Sequence, residues 1–282
     1  MSVKIIIDST VDVADRYKGK MKIVPLTVRF GNEEYKDRVE LGAEEFYEKL
    51  VECEVMPSTS QANISDFEKV FREETESGDE LIVITLSSKL SGTYNSAMIA
   101  AEDYPDKVYV VDSLSVSIGA GILAQFAVEL ASAGLNAKGI VKRLKVEREN
   151  IKIIAMFDTL EYLKRGGRIS SAAAFAGTML SLKPIITVKD GEIAILGKAR
   201  GSKHANNYLI REIVAMGSIN FNKPILYGYT GFDDTLLENF IEVSRHILDE
   251  DKDELDTAIV GSVVGTHAGP GAIAVAFFVN QY

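Results

Sequence analysis

The sequence predicts an α/β protein in two domains, residues 1–149 and 150–282. Three observations predict it. In the first half, short apolar runs alternate with helical segments, the pattern of a parallel sheet with helices on its faces. In the second half the alternation is interrupted by a hairpin signal, which indicates a mixed α/β arrangement with hairpins. The 282 residues are 46% hydrophobic and 26% charged, the balance of a folded globular chain with room for two cores.

Each element follows from local chemistry. Val3 to Ile7 is an apolar strand that ends at Asp8-Ser9-Thr10. Met21 to Phe30 reads as extended, and GNEEY turns into a second hairpin arm. Ala43 to Cys53 carries Phe46, Leu50 and Cys53 at helical spacing, which makes Cys53 a core residue. Ser65-Asp-Phe-Glu68 has the form of a capping box ahead of Val70 and Phe71. Leu81 to Thr85 is a strand and Ala97 to Asp103 is helical. Val108 to Val111 is a strand ending at Asp112-Ser113. Ser117 to Ala133 is a long apolar helix stopped by Gly134, and Asn136 caps the next helix, which runs to about Arg148. In parallel sheets ligands sit at the carboxyl ends of strands. Three polar clusters, at 8–10, 85–93 and 112–113, therefore point to one crevice.

From Ile151 the chain reads as a strand to Phe157, then a helix over 158–165 ended by Gly166-Gly167. Ala172 to Leu182 is apolar with small residues. Lys183 to Val188 and Glu192 to Ile195 flank Asp190-Gly191, a hairpin turn. A helix from Ser202 to Met216, a strand from Ile225 to Tyr229 and a helix from Asp234 to Leu248 follow. The stretch 258–279 contains no Asp, Glu, Lys or Arg and is long enough to span a bilayer. Gly269-Pro270-Gly271 breaks it, so two buried strands joined by a Gly-rich turn are expected, and no membrane span.

The composition excludes several classes. A net charge of -10 disfavours nucleic acid, which needs a basic face. A single cysteine rules out a disulfide framework and a cysteine zinc site. His204, His246 and His267 lack HExxH spacing, so no metal is expected. The N-terminal MSVKIIIDST lacks the apolar core of a signal peptide, and a cytoplasmic location is the expectation.

The chemistry concentrates in LSSKLSGTYNSA, residues 86–97, at a strand-to-helix turn. Nucleophilic catalysis is one reading, with Ser91 attacking, His267 as base and Asp8 or Asp112 as orienter. The G-x-S-x-G elbow is absent, however. Phosphate binding is a second reading, but there is neither GxxxxGK[ST] nor GxGxxG. A third is a carboxylate held by neutral hydroxyl and imidazole donors, with PSTSQ at 57–61 as a second hydroxyl cluster. Capping and turn satisfaction by Ser and Thr remains open for each hydroxyl.

DSTVD at 8–12, PSTSQ at 57–61, LSSKLSGTYNSA at 86–97, DTLEYLKRGGRIS at 158–170, LSLKPII at 180–186 and VGTHAGPG at 264–271 occur in that order. As a set they resemble the DegV family of bacterial fatty-acid-binding proteins, although Ser58 stands where Thr is common. The resemblance implies an N-terminal three-layer α/β/α domain, a C-terminal α/β domain with a mixed sheet, and a ligand tunnel between them. It implies non-covalent binding of one long-chain fatty acid, palmitate or similar, and no catalysis by the chain itself. The carboxylate is then presented to a partner fatty acid kinase for phospholipid synthesis. Carried onto this chain, the head-group residues are Thr59, Ser91 and His267, and Arg168 and Arg200 are candidates for contact with the head group or the kinase. Ile118 to Leu130 and Ala172 to Leu182 are candidate tunnel walls, with core packing as their other reading. The alternative function is an acyl hydrolase or transferase using Ser91 and His267.

Overall fold

A computed structural model describes residues 2–169, 182–247 and 255–280. The first half contains β1 (Val3–Asp8), β2 (Lys22–Val24), β3 (Thr27–Phe30), β4 (Glu33–Lys36), α1 (Ala43–Glu52), β5 (Ser58–Ser60), α2 (Ile64–Thr75), β6 (Glu80–Thr85), α3 (Thr93–Ala101), β7 (Val108–Asp112), α4 (Ile118–Ser132) and α5 (Ala137–Glu147). Then follow β8 (Ile151–Met156), α6 (Glu161–Arg165), β9 (Leu182–Lys189), β10 (Glu192–Arg200), α7 (Gly201–Met216), β11 (Leu226–Tyr229), α8 (Thr235–Ser244), β12 (Thr257–Ile259), α9 (Ser262–Ala268) and β13 (Ile273–Phe278).

The first sheet has the order β2-β1-β6-β7 and is parallel throughout. Both its faces are covered, which is why β1 is a continuous apolar run rather than an alternating one. Ile5 and Ile7 pack toward α4 and α5, and Ile6 packs on the opposite side with Phe46, Phe67 and Phe71 of α1 and α2. The second sheet has the order β10-β9-β8-β13-β11-β12 and is mixed, with only β11 and β12 parallel. One face packs on α7 and α8. The other meets α4, whose residues 118–127 are all buried, so this stretch is apolar on nearly every side, Gln125 being its one polar residue, with Oε1 accepting the Ala14 amide at 2.9 Å. A third sheet, β4-β3-β5, is small and antiparallel.

Most expected elements are present, and four details differ. The stretch 258–279 folds as strand, helix, strand, with α9 over 262–268 in place of most of the expected first strand. Its β-branched residues are overruled by tertiary contacts. The Gly261 amide just ahead of the helix and the Ser262 amide at its first residue donate to the buried carboxylates of Asp12 (3.0 Å) and Asp37 (3.3 Å). A Cβ on Gly265 would collide with the Phe46 and Tyr47 rings, so α9 packs there only with glycine. The capping box at 65–68 does not form. Helix α2 starts at Ile64 behind an extended Asn63, which puts Ser65 inside the first turn. Residues 58–60, read from sequence only as a hydroxyl cluster, form edge strand β5 on β3, with Thr59 opposite Val28. Cys53 lies only partly buried at the end of α1.

Other signals hold locally. Asn136 Oδ1 accepts the Gly139 amide at 2.8 Å. Asp190 and Gly191 have φ of 52° and 82°, the doubly left-handed turn that a tight hairpin requires. Strand β10 continues five residues beyond the expected Ile195, past an irregularity between Ile195 and Gly197. Among the described residues, no helix is long and apolar enough to cross a membrane. The segment 172–181 lies outside the described residues.

Candidate functional site

Between the two sheets lies a cavity of about 990 Å³, including its mouth. Its floor is the inner face of the second sheet. Gly228, Ala274, Ala155 and Ile186 are paired in one row across four adjacent strands. Three of these four side chains are the smallest available, so the row forms a trough. Ala274 is partly accessible although it lies on a central strand, because the trough opens above it. Leu26, Leu86, Leu90 and Val263 close the cavity from the first half and from α9. Helix α4 packs as core and does not line the cavity, whereas Val116 and Ser117 just before it do.

Several hydroxyls line the cavity, and most are already engaged. Thr10 Oγ1 donates to Asp8 at 2.5 Å, Ser117 Oγ to Asp12 at 2.5 Å, and Thr187 Oγ1 to the Ile153 carbonyl at 2.7 Å. Thr230 Oγ1 accepts the Ala272 amide at 2.8 Å. Ser117 holds φ at 55°, an uncommon value for a side-chain-bearing residue, and its bond to Asp12 helps fix it. Of the others, Thr59 and Ser91 belong to one polar cluster. Thr59 Oγ1 lies 2.9 Å from His267 Nε2. Ser91 Oγ lies 2.9 Å from Thr93 Oγ1 and lines the same cavity, as do Gln61 and Arg168.

Each of these residues is positioned by the fold. Register with β3 fixes Thr59. A turn in which the Leu90 and Ser91 amides donate to the Ser87 carbonyl delivers Ser91 to the start of α3. That turn is also anchored to the second sheet, because Ser87 Oγ donates to the Gly191 carbonyl at the β9–β10 hairpin tip, 2.7 Å away. His267 sits in the last turn of α9. Arg168 follows Gly167, whose φ is 69°, and its Nε donates to the Leu90 carbonyl at 3.3 Å.

Of the five residues expected at the site, Thr59, Ser91, His267 and Arg168 line one cavity, and Arg200 does not. Arg200 ends β10 beside a separate surface depression that also includes His204 and Arg211. The expected orienters of a triad are engaged elsewhere. Asp8 accepts Thr10 and the Leu86 amide, and Asp112 accepts the Ser88 and Leu114 amides. The third polar strand end, Asp112-Ser113, thus satisfies turns and does not line the cavity. Sequence reasoning missed Thr93, which lay inside the quoted LSGTY, and Gln61, which lay inside PSTSQ. It also missed Arg38, which pairs with Asp12 from 26 residues away and leaves no local signal.

Burial, together with the nearby Arg168 guanidinium, pushes the His267 pKa down from 6.5 to about 4. An unfolded histidine takes up its proton near 6.5, so acidification from pH 6.5 to 4 favours the unfolded chain, by about 3 kcal/mol in all. Asp8 acts in the opposite sense. Burial raises it from 3.8 to about 6, so its contribution is present at low pH and fades as pH rises through that window. Replacing His267 with Gln is expected to remove the acid-side loss. Urea denaturation at pH 4.5 and 7 measures this, and equal pH slopes for both proteins would contradict a buried neutral His267.

Fold and cavity together define the class: an α/β protein whose largely apolar cavity between its two large sheets carries a cluster of hydroxyls, an amide, an imidazole and the Arg168 guanidinium. The model of the DegV family, described as "Uncharacterised protein, DegV family COG1307", matches residues 2–280, and the chain belongs to that family. A DegV domain-containing protein of Caldanaerobacter subterraneus subsp. tengcongensis is 36% identical over 263 residues, covering 90% of each chain. A DegV family protein from Thermus thermophilus, described for its fatty acid binding, superposes with a TM-score of 0.88 at 32% identity, covering 99% of this chain and 100% of that one. A stearic acid-binding protein from Eubacterium ventriosum superposes at 0.86 with 29% identity, covering 99% and 98%.

Proposed function

We propose that the chain binds one long-chain fatty acid without forming a covalent bond. The tail lies in the inter-sheet trough and the carboxylate meets Thr59 and Ser91, with His267 beside them. The observation that carries this reading is the contrast between cavity hydroxyls: Thr10, Ser117 and Thr187 donate to protein oxygens, whereas Thr59 and Ser91 bond to an imidazole and a second hydroxyl and keep a proton to give in a cluster with Gln61 and Arg168. Fatty acid binding by similar DegV structures supports it. A 16-carbon tail buries roughly 15 methylene or methyl groups at about 0.8 kcal/mol each, about 12 kcal/mol. Ordering the ligand removes several kcal/mol, which leaves micromolar to nanomolar affinity. The tail provides affinity and the hydroxyls provide orientation.

In this reading the tunnel separates residues 1–149 from 150–282, and the chain acts as the binding subunit of a two-component fatty acid kinase. Arg168 at the cavity and Arg200 on the surface beside His204 and Arg211 would face the partner kinase or the phosphoryl group. The hydrolase alternative is disfavoured by geometry. Ser91 Oγ is bonded to Thr93 while His267 Nε2 is bonded to Thr59, and His267 Nδ1 has no orienting partner among the described residues.

Native mass spectrometry, with an organic extract analysed alongside, tests the reading. A mass excess of one fatty acid that is lost on denaturation is the expected result. A bare chain that also refuses added palmitate and oleate would sink it. The Thr59→Ala/Ser91→Ala double variant is expected to retain fatty acid at least roughly a hundredfold more weakly, since two hydrogen bonds to a charged group are lost, each worth about 1.5 kcal/mol or more. Unchanged occupancy would remove these two residues from the head-group site.

A further inference from the structure

A hydroxyl holds a carboxylate only by donating, and it has one proton to give. If Ser91 gives that proton to a protein neighbour, its oxygen turns lone pairs toward the anion. The neighbour's identity therefore decides whether the site attracts or repels a carboxylate. That neighbour is Thr93, which is fully buried.

Two proton arrangements fit the 2.9 Å contact between the hydroxyls of Ser91 and Thr93. In the first, Ser91 donates to Thr93. Thr93 Oγ1 already accepts the Ala62 amide at 3.4 Å, and its own buried proton then has no acceptor among the described residues. In the second, Thr93 donates to Ser91. Ser91 Oγ then accepts twice from one residue, from the Thr93 hydroxyl and from the Thr93 amide at 3.2 Å. Both its lone pairs are occupied, and its proton is the one group left free, at a cavity-lining position. Only the second arrangement satisfies every buried donor.

Thr59 follows the same logic. Its oxygen meets Nε2 of a neutral His267, whose Nδ1 is buried without a partner among the described residues. A proton on Nδ1 would strand a buried donor, whereas a proton on Nε2 leaves only a lone pair unpaired. The Nε2–H tautomer donates to Thr59 and frees the Thr59 proton for the cavity.

We infer that Thr93 is a positioning residue that presets Ser91 as a hydrogen-bond donor, so that together with His267 and Thr59 it makes the site selective for a carboxylate over an uncharged head of the same chain. The inference rests on the reading that Ser91 meets the head group. A primary alcohol carries its own proton and accommodates either arrangement, so it provides the comparison.

The experiment is competitive loading of the delipidated protein with palmitate and 1-hexadecanol, read by native mass spectrometry. The wild type is expected to prefer palmitate. In Thr93→Val the palmitate-to-hexadecanol ratio is expected to fall by between about threefold and tenfold, one hydrogen bond's worth of discrimination, and Thr93→Ser is expected to restore it. Hexadecanol uptake reports an intact tunnel. Thr93→Ala also lacks the hydroxyl, and it must reproduce the fall should valine disturb packing. A ratio that is unchanged or raised in the variants overturns the inference, since the opposite arrangement would release the Ser91 proton when Thr93 is removed. A wild type that takes up no palmitate overturns the fatty-acid reading and the inference with it, whereas a loaded wild type with an unmoved ratio overturns the inference alone.

Discussion

Ala274→Leu is expected to cut affinity for a 16-carbon acid roughly sixtyfold while leaving the protein folded. Ala274 lies in the cross-strand row with Gly228 and Ala155, and its side chain points into the trough, not into the packed face under α7 and α8. Leucine adds three carbons where the tail runs. Displacing about three methylenes at about 0.8 kcal/mol each removes about 2.4 kcal/mol, close to a factor of sixty. The head-group end is untouched, so the preference should move toward acids about three carbons shorter. Competition between 12- and 16-carbon acids measures this. An unchanged chain-length profile would mean that the tail does not cross the sheet along this row.

Arg38→Met is expected to lower unfolding stability by about 3–5 kcal/mol, the usual result of leaving a buried charge unpaired. Asp12 is fully buried, and its carboxylate accepts from the Arg38 guanidinium, from Ser117 and from the Gly261 amide. The Arg38 Nε also donates to the Ser9 carbonyl at 2.7 Å. Burial raises the Asp12 pKa and the Arg38 charge opposes that rise. Without Arg38 the pKa rises further. The carboxyl is then protonated in the fold at a pH where the unfolded chain has ionised, so the deficit should shrink as pH falls. Urea denaturation of Arg38→Met, Asp12→Asn and the double variant gives the coupling between the two residues. A loss under about 1 kcal/mol in Arg38→Met would show that solvent already reaches Asp12. Because Gly261 immediately precedes α9, which carries His267, the same variant is also expected to loosen the cavity wall.

The two halves of the protein differ in how legible they were. The parallel first sheet could be read because strands such as Ile5 to Ile7 are covered on both faces and must be apolar throughout. The Asp190-Gly191 hairpin could be read because two consecutive left-handed residues restrict the choice of side chain. Helix α9 could not. Its residues favour extended backbone, and it is helical because Asp12 and Asp37 take the amides at its start and because Gly265 fits against Phe46 and Tyr47. Strand β5 was missed because Ser-Thr-Ser has no apolar face, and pairing with β3 alone makes it a strand.

The sequence by itself determined the α/β class and the family, because ordered motifs and element periodicity are local properties of the chain. Through that family resemblance it also pointed to Thr59, Ser91 and His267, whereas polar clusters at strand and helix ends by themselves left capping open for each hydroxyl. The tertiary structure alone decided which hydroxyls are free. Thr10, Ser117 and Thr187 are the same kind of residue as Thr59 and Ser91, and only the fold separates a hydroxyl that donates to a protein oxygen from one bonded to an imidazole or a second hydroxyl. Proton direction depends on groups brought to within about 3 Å by packing, and residues as distant in sequence as Thr59 and His267 meet only because α9 packs against the small third sheet.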